Sequence, residues 1–153
     1  VGFVKARRKG GLLRLDLHAA EAQILLILLR ELSAVVASDD LADPVVHRLY
    51  PDGYVGDAEA TAEFAELVTG SLREDRNNRI ALCSAEIPPE GGRLELDSDA
   101  ADRWLRVLND LRLALGTRLG VSEDDELDES DQQVQIYHWL SAVQETLVQN
   151  LMR

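Results

Sequence analysis

The chain is poor in the residues that usually advertise chemistry. Cys83 is its one cysteine in 153 residues. A disulfide within these residues is excluded, no zinc-ligand cluster can be assembled from cysteines, and a reducing, cytoplasmic setting is expected. Basic residues are outnumbered, 16 Lys and Arg against 28 Asp and Glu, for a net charge of −12. Broad, charge-driven nucleic-acid binding needs Lys and Arg to neutralise phosphates, so this balance argues against it. A basic protein partner fits, and so does simple solubility. Long apolar runs are also missing. The longest, residues 24–29, is far below the ~20 residues of a membrane span. After Lys5, Arg7, Arg8 and Lys9 the chain alternates Leu-Arg-Leu-Asp-Leu, where a secretion signal would run continuously apolar. The sequence opens on Val1, so a few native residues before it are expected.

Nucleophile-elbow, phosphate-loop and dinucleotide fingerprints are absent. His18, His47 and His138 stand at no metal-ligand spacing to one another, to Cys83 or to paired acids. No catalytic, cofactor-binding or metal-ligating residue is therefore nominated, and no cofactor is expected.

What is present is a repeat. Gly10-Gly11-Leu12-Leu13-Arg14-Leu15-Asp16-Leu17-His18-Ala19-Ala20-Glu21 returns as Gly91-Gly92-Arg93-Leu94-Glu95-Leu96-Asp97-Ser98-Asp99-Ala100-Ala101-Asp102. Each copy reads as one unit: glycine turn, half-buried strand, helix start. Residues 2–8 and 12–17 flank Lys9-Gly10-Gly11, a hairpin signal, because glycine accepts positive φ. Leu13, Leu15 and Leu17 alternate with Arg14 and Asp16, as in a strand with one buried face. The two matching strands are expected to join in one small antiparallel sheet.

Helices fill the rest. One is expected over 18–37, with Ile24, Leu25, Leu28, Leu32, Val35 and Val36 on a broad face and Glu21 at the acid position of a capping box. A short helical turn is expected near 45–49, and Pro51-Asp52-Gly53 signals a turn. Helical composition resumes at Asp57, with Phe64, Leu67 and Val68 as an apolar stripe. Gly70 is expected to interrupt it, and Ser71 with Glu74 to cap a new helix carrying Leu72, Arg76, Ile80, Cys83 and Ile87 on one face. The second copy launches a helix over 99–119, with Trp104, Leu108, Leu111 and Leu115 facing the core. Asp99 with Asp102 would cap it, and Asp99–Arg103 and Asp102–Arg106 are spaced as ion pairs. Gly120 suits a C-terminal cap. A last helix spans about 132–152, with Ile136, Tyr137, Leu140, Val143, Leu147 and Leu151 inward. The fold class is thus α+β, mostly α: about five helices with a small antiparallel sheet, in a single regulatory domain over 1–153.

Three candidate sites follow. Cys83 is a candidate redox thiol if exposed with a lowered pKa, or else a small apolar residue in the core. Glu123, Asp124, Asp125, Glu126, Asp128 and Glu129 form an acidic run that would dock a basic surface, sit by the positive end of the last helix, or serve as a solvated linker. It lacks the glycine and spacing of a calcium loop. Lys5, Arg7, Arg8 and Lys9 would touch nucleic acid, or solubilise an edge strand. Arg112 and Arg118 lie near an apolar helix end and are each expected to form a structural ion pair with a buried acid rather than a ligand site; Asp110 is a neighbour in sequence, though not on the same face.

Three segments look familiar together: Arg48-Leu49-Tyr50-Pro51-Asp52-Gly53-Tyr54 with Glu63-Phe64; Trp104 through Asn109-Asp110-Leu111-Arg112-Leu113 to Leu115-Gly116-Thr117-Arg118-Leu119-Gly120; and Tyr137-His138-Trp139-Leu140 to Gln144-Glu145-Thr146-Leu147-Val148. Together they resemble the actinobacterial family of AosR-type oxidative-stress transcriptional regulators, long classed only as a domain of unknown function. The resemblance implies a cytoplasmic regulator acting on transcription through protein contact with a stress sigma factor or RNA polymerase. It also implies redox sensing by a cysteine pair, and here the sequence departs: with Cys83 alone, no cysteine-pair residue carries over.

The leading expectation is a non-enzymatic regulator that binds a protein partner and self-associates as a homodimer, because two helices are apolar beyond one stripe. Two others stand beside it: direct DNA binding by the basic hairpin, and a small-molecule binding protein or enzyme with a site between the two repeats.

Overall fold

The computed structural model describes residues 6–38, 40, 42–50, 58–120 and 127–151, with backbone alone at 6–9 and 58–69. Strands β1 (Ala6–Lys9) and β2 (Leu12–Leu17) flank the Gly10-Gly11 turn, where both φ angles are positive. Helix α1 (Ala19–Ala37) follows, then α2 (Pro44–Leu49) and α3 (Ala58–Glu86). Strand β3 (Gly92–Leu96) leads into α4 (Ser98–Leu119), and α5 (Gln132–Leu151) ends the described chain. The sheet has three antiparallel strands in the order β1-β2-β3. The fold is α+β and mostly α, and the strands of the two copies do lie side by side.

Their register has a local two-fold symmetry. Leu13 sits opposite Leu96, and Leu15 opposite Leu94. In the repeat Leu94 is the counterpart of Leu13, and Leu96 that of Leu15, so the copies exchange partners. The dyad falls on Arg14 opposite Glu95, which are counterparts of each other and form an ion pair at 3.4 Å. Two residues along, Arg93 pairs with Asp16 at 3.3 Å. These charges occupy one face. Leu13, Leu15, Leu94 and Leu96 on the other face are buried in the core, where β2 and β3 pack against α4.

The copies diverge at their helix starts. Asp97 accepts from the Ala100 N–H at 2.8 Å and caps α4, so the cap is Asp97 and not the expected Asp99 with Asp102. Its counterpart Asp16 is held in the sheet by Arg93. The start of α1 passes to His18, whose N–H donates to Glu21 Oε1 at 2.8 Å. At the far end Gly120 caps α4 with φ +69°, as its position predicts.

Gly70 does not interrupt α3, and Ser71 starts no new helix: α3 runs unbroken for 29 residues. A helical glycine costs only about 1 kcal/mol, and packing of α3 against α1 and α4 outweighs that. Gly70 is exposed and a Cβ there would meet nothing within 4 Å. Gly70→Ala is expected to stabilise the protein by about 0.5–1 kcal/mol in urea denaturation. Ile87 lies just past the end of α3 and is buried, while Leu72 on that helix is exposed. The Pro51–Gly53 turn and the side chains of Phe64, Leu67 and Val68 lie outside the described residues.

No described helix is long and apolar enough to cross a membrane.

Candidate functional site

Cys83 lies on α3 with no exposed surface, between Ile80 and Ile87 in the core. Arg103 of α4 reaches its neighbourhood and forms an ion pair with Glu86; the expected Asp99–Arg103 pair gives way to this contact. Asp102–Arg106 forms as its spacing predicts, at 3.0 Å. Burial, and next the negative charge of Glu86, push the Cys83 thiol up to about 12, against the opposing pull of Arg103 and Arg79. The thiolate is the reactive species, so at neutral pH this sulfur is a protonated, sequestered thiol. Because folding favours the thiol form, its contribution is complete below pH 9 and is lost as pH rises from 9 towards 12. Up to about 1.4 kcal/mol of stability per pH unit is expected to disappear over that window in wild type and not in Cys83→Ala, measured by urea denaturation across the alkaline range.

A second polar cluster joins α1, α2, α3 and α4. The Tyr50 hydroxyl donates to the Val36 carbonyl at 3.2 Å. Arg73 donates to the Val36 carbonyl at 3.0 Å and the Ser38 carbonyl at 3.3 Å. Arg76 donates to the Leu49 carbonyl at 2.9 Å and pairs with Asp110 at 3.3 Å. Its guanidinium stands 4.9 Å from the centre of the Tyr50 ring. Burial raises the Asp110 pKa above the ordinary carboxylate value, although Arg76 and Arg79 pull it down.

Arg112 and Arg118 therefore have partners other than the expected buried acid. Arg112 donates to Ser141 Oγ at 3.0 Å and to Gln144 Oε1, and lies over the Tyr137 ring. Arg118 pairs with Glu31 at 3.3 Å on the surface. Asp110 was already claimed by α3, and its own helix turns it away from both arginines. Gly116 lets α5 approach: a Cβ there would meet Tyr137 Cε2 at 3.2 Å. The three segments that carry the family resemblance thus converge through Tyr50, Asp110, Arg112, Gly116, Tyr137 and Gln144. Sequence reasoning missed the Tyr50–Arg73–Arg76 cluster. The only hint was Arg76 on the inner face of α3.

Asp128 and Glu129, the charged candidates whose side chains are described, do not join these clusters. Arg7, Arg8 and Lys9 are on β1, an outer strand of the sheet, with Arg7 opposite Arg14; Lys5 lies outside the described residues. Glu123, Asp124, Asp125 and Glu126 also lie outside them. Asp128 and Glu129 are exposed. Ser130 donates to Asp128 through its N–H at 3.0 Å and its hydroxyl at 2.6 Å, which holds that carboxyl below its usual range. Glu129 is 3.2 Å from His138, and Asp131 accepts from the Gln133 N–H at 2.8 Å, at the start of α5. Among the described residues no group of three or more His, Cys, Asp or Glu gathers as a metal site would require. The space between the twin units, where a small-molecule site was one expectation, is filled by the buried leucines of the sheet with Trp104 and Leu108.

A family model described as Domain of unknown function (DUF2017) matches residues 3–151. The chain belongs to the DUF2017 family. Curated proteins named Oxidative stress regulator AosR, from Mycobacterium bovis and Mycobacterium tuberculosis, are each 34% identical over 128 residues, covering 72% of this chain and 59% of the relative. The DUF2017 chain thus spans about three-fifths of the length of these relatives. No solved structure matches it.

Proposed function

We propose that this DUF2017 chain is one regulatory domain of the oxidative-stress response. In this reading it works in the cytoplasm, without catalysing a reaction, by contact with a stress sigma factor or RNA polymerase. The observation that carries the reading is the 34% identity to proteins named as oxidative stress regulators. The net charge of −12 supports a partner with basic surface, and the acidic run Glu123, Asp124, Asp125, Glu126, Asp128 and Glu129 is its proposed point of electrostatic contact.

Cys83 is sealed in the core, so any redox role would need local opening of α3 first, followed by a bond to another molecule. A thiol reagent is expected to label it at a rate set by opening, and rapidly only in denaturant; fast labelling of the native protein would restore an exposed sensor. The exposed positions Leu72 and Val148 favour self-association as a homodimer, and a clean monomer by light scattering at high concentration would remove that part.

The deciding test is titration of the purified chain against RNA polymerase core, sigma factor and holoenzyme. Saturable binding to one of these is expected. No affinity for any of them, together with DNA binding that falls steeply with salt, would replace this reading with direct DNA contact through Arg7, Arg8 and Lys9.

A further inference from the structure

Helices α1, α4 and α5 leave a groove of about 350 Å³ between them. Ile24, Ile27, Leu28 and Glu31 repeat at helical spacing along α1 and line one wall. Leu115 of α4 and Ile136 of α5 complete the apolar lining. Ile24, Leu28 and Ile136 are half-buried against the core and form the floor. Ile27 stands at the lip, 51% exposed. The concavity leaves Ile27 in water as an apolar side chain that a partner would cover.

The rim decides which occupant fits. The one lining cation among the described residues, Arg118, is already paired with Glu31. Gln132 and Gln133 also line the groove, and their side-chain amides make no hydrogen bond among the described residues. They stand at the start of α5, directly after the exposed acids Asp128, Glu129 and Asp131. The surroundings are therefore apolar within and acidic at the α5 end, on a molecule of charge −12. A second copy would bring the same acids to the same rim. A small polar ligand would find the two charges that line the groove among the described residues neutralised by each other.

We propose that this groove receives an amphipathic helical segment of a protein partner, with apolar anchors one helical turn apart and lysine or arginine on its flanks. Helix-in-groove recognition works in this way: apolar anchors supply affinity and flanking charge supplies orientation and rate. The proposal rests on the reading that the chain acts by protein contact, and it names the surface and the chemistry of that contact.

The test uses a fluorescein-labelled leucine–lysine peptide of helical periodicity, with its leucine–glutamate counterpart, followed by anisotropy. The whole chain is expected to bind the lysine peptide, more weakly as salt rises, and to ignore the glutamate peptide. Ile27→Arg and Gln133→Lys, both at exposed positions, are expected to weaken binding at least tenfold. Leu82→Arg, on the exposed side of α3, is expected to leave it unchanged, with circular dichroism confirming that all three variants fold. Equal loss in Leu82→Arg, undiminished binding by Ile27→Arg and Gln133→Lys, or equal affinity for the glutamate peptide would overturn the assignment. So would a wild-type dimer that Ile27→Arg dissolves, which would give the groove to a second copy. If Ile27→Arg still binds RNA polymerase or sigma factor as wild type does, the regulatory reading stands and the groove is lost.

Discussion

Gly91→Ala is expected to cost about 3 kcal/mol or more and to lower the melting temperature by roughly 10 °C. Two effects add at this position. Its φ is +85°, where any Cβ carries about 1–2 kcal/mol of strain. The new Cβ would also lie 2.6 Å from the Ala19 nitrogen and 3.0 Å from the Ala19 Cα. Both are backbone atoms at the start of α1, so nothing flexible can yield. The second repeat's glycine is thus the seat on which the first repeat's helix rests. Gly10, its counterpart, also has positive φ, yet a Cβ there would meet nothing within 4 Å. Gly10→Ala should therefore cost only the strain, about 1–2 kcal/mol. Thermal and urea denaturation of the two variants compares them directly, and equal losses would show that Gly91 does not support α1.

Asp110→Ala is expected to cost about 1–3 kcal/mol, because it leaves the largely buried Arg76 Nε–H without its acceptor. Replacing both partners by apolar groups, as in Arg76→Met with Asp110→Leu, should recover most of that loss. The reason lies in the raised pKa of Asp110: burial costs the carboxylate more than the arginines return. Folding therefore favours the protonated acid. That contribution is complete below pH 3.8 and is lost as pH rises through the raised folded value. Asp110→Asn should accordingly be milder than Asp110→Ala at neutral pH. A double variant no more stable than Asp110→Ala would mean that the pair contributes net stability.

The architecture was legible where its determinants are local. The glycine turn, the Leu13-Leu15-Leu17 alternation and the Trp104-Leu108-Leu111-Leu115 stripe each specify an element from neighbouring residues alone, and the repeat foretold which strands would pair. Local rules failed where distant groups compete. Gly70 has the look of a helix break, but packing along α3 overrides a cost of about 1 kcal/mol. Asp99 and Asp102 have the spacing of a cap, but Asp97 sits where the strand ends and takes the role. Asp110 is near Arg112 in sequence, yet helical geometry turns it to Arg76, 34 residues away. The groove was illegible for the same reason. Ile24, Leu28 and Ile136 read as core residues, and only the meeting of three helices shows which of them stop short of full burial. Of the chemistry-bearing candidates, Cys83 is buried in the core, whereas the acidic run gave charge without position.

The most direct test of the whole account is a methyl spectrum of the isoleucine-labelled chain, titrated with the partner that binds it among RNA polymerase core, sigma factor and holoenzyme. The sequence holds five isoleucines. Ile24, Ile27 and Ile136 line the groove, while Ile80 and Ile87 are buried beside Cys83. Selective shifts or broadening of the first three, with the last two retaining their positions, is the predicted result. Perturbation confined to Ile80 and Ile87, or a saturated complex in which no groove methyl moves, would contradict it.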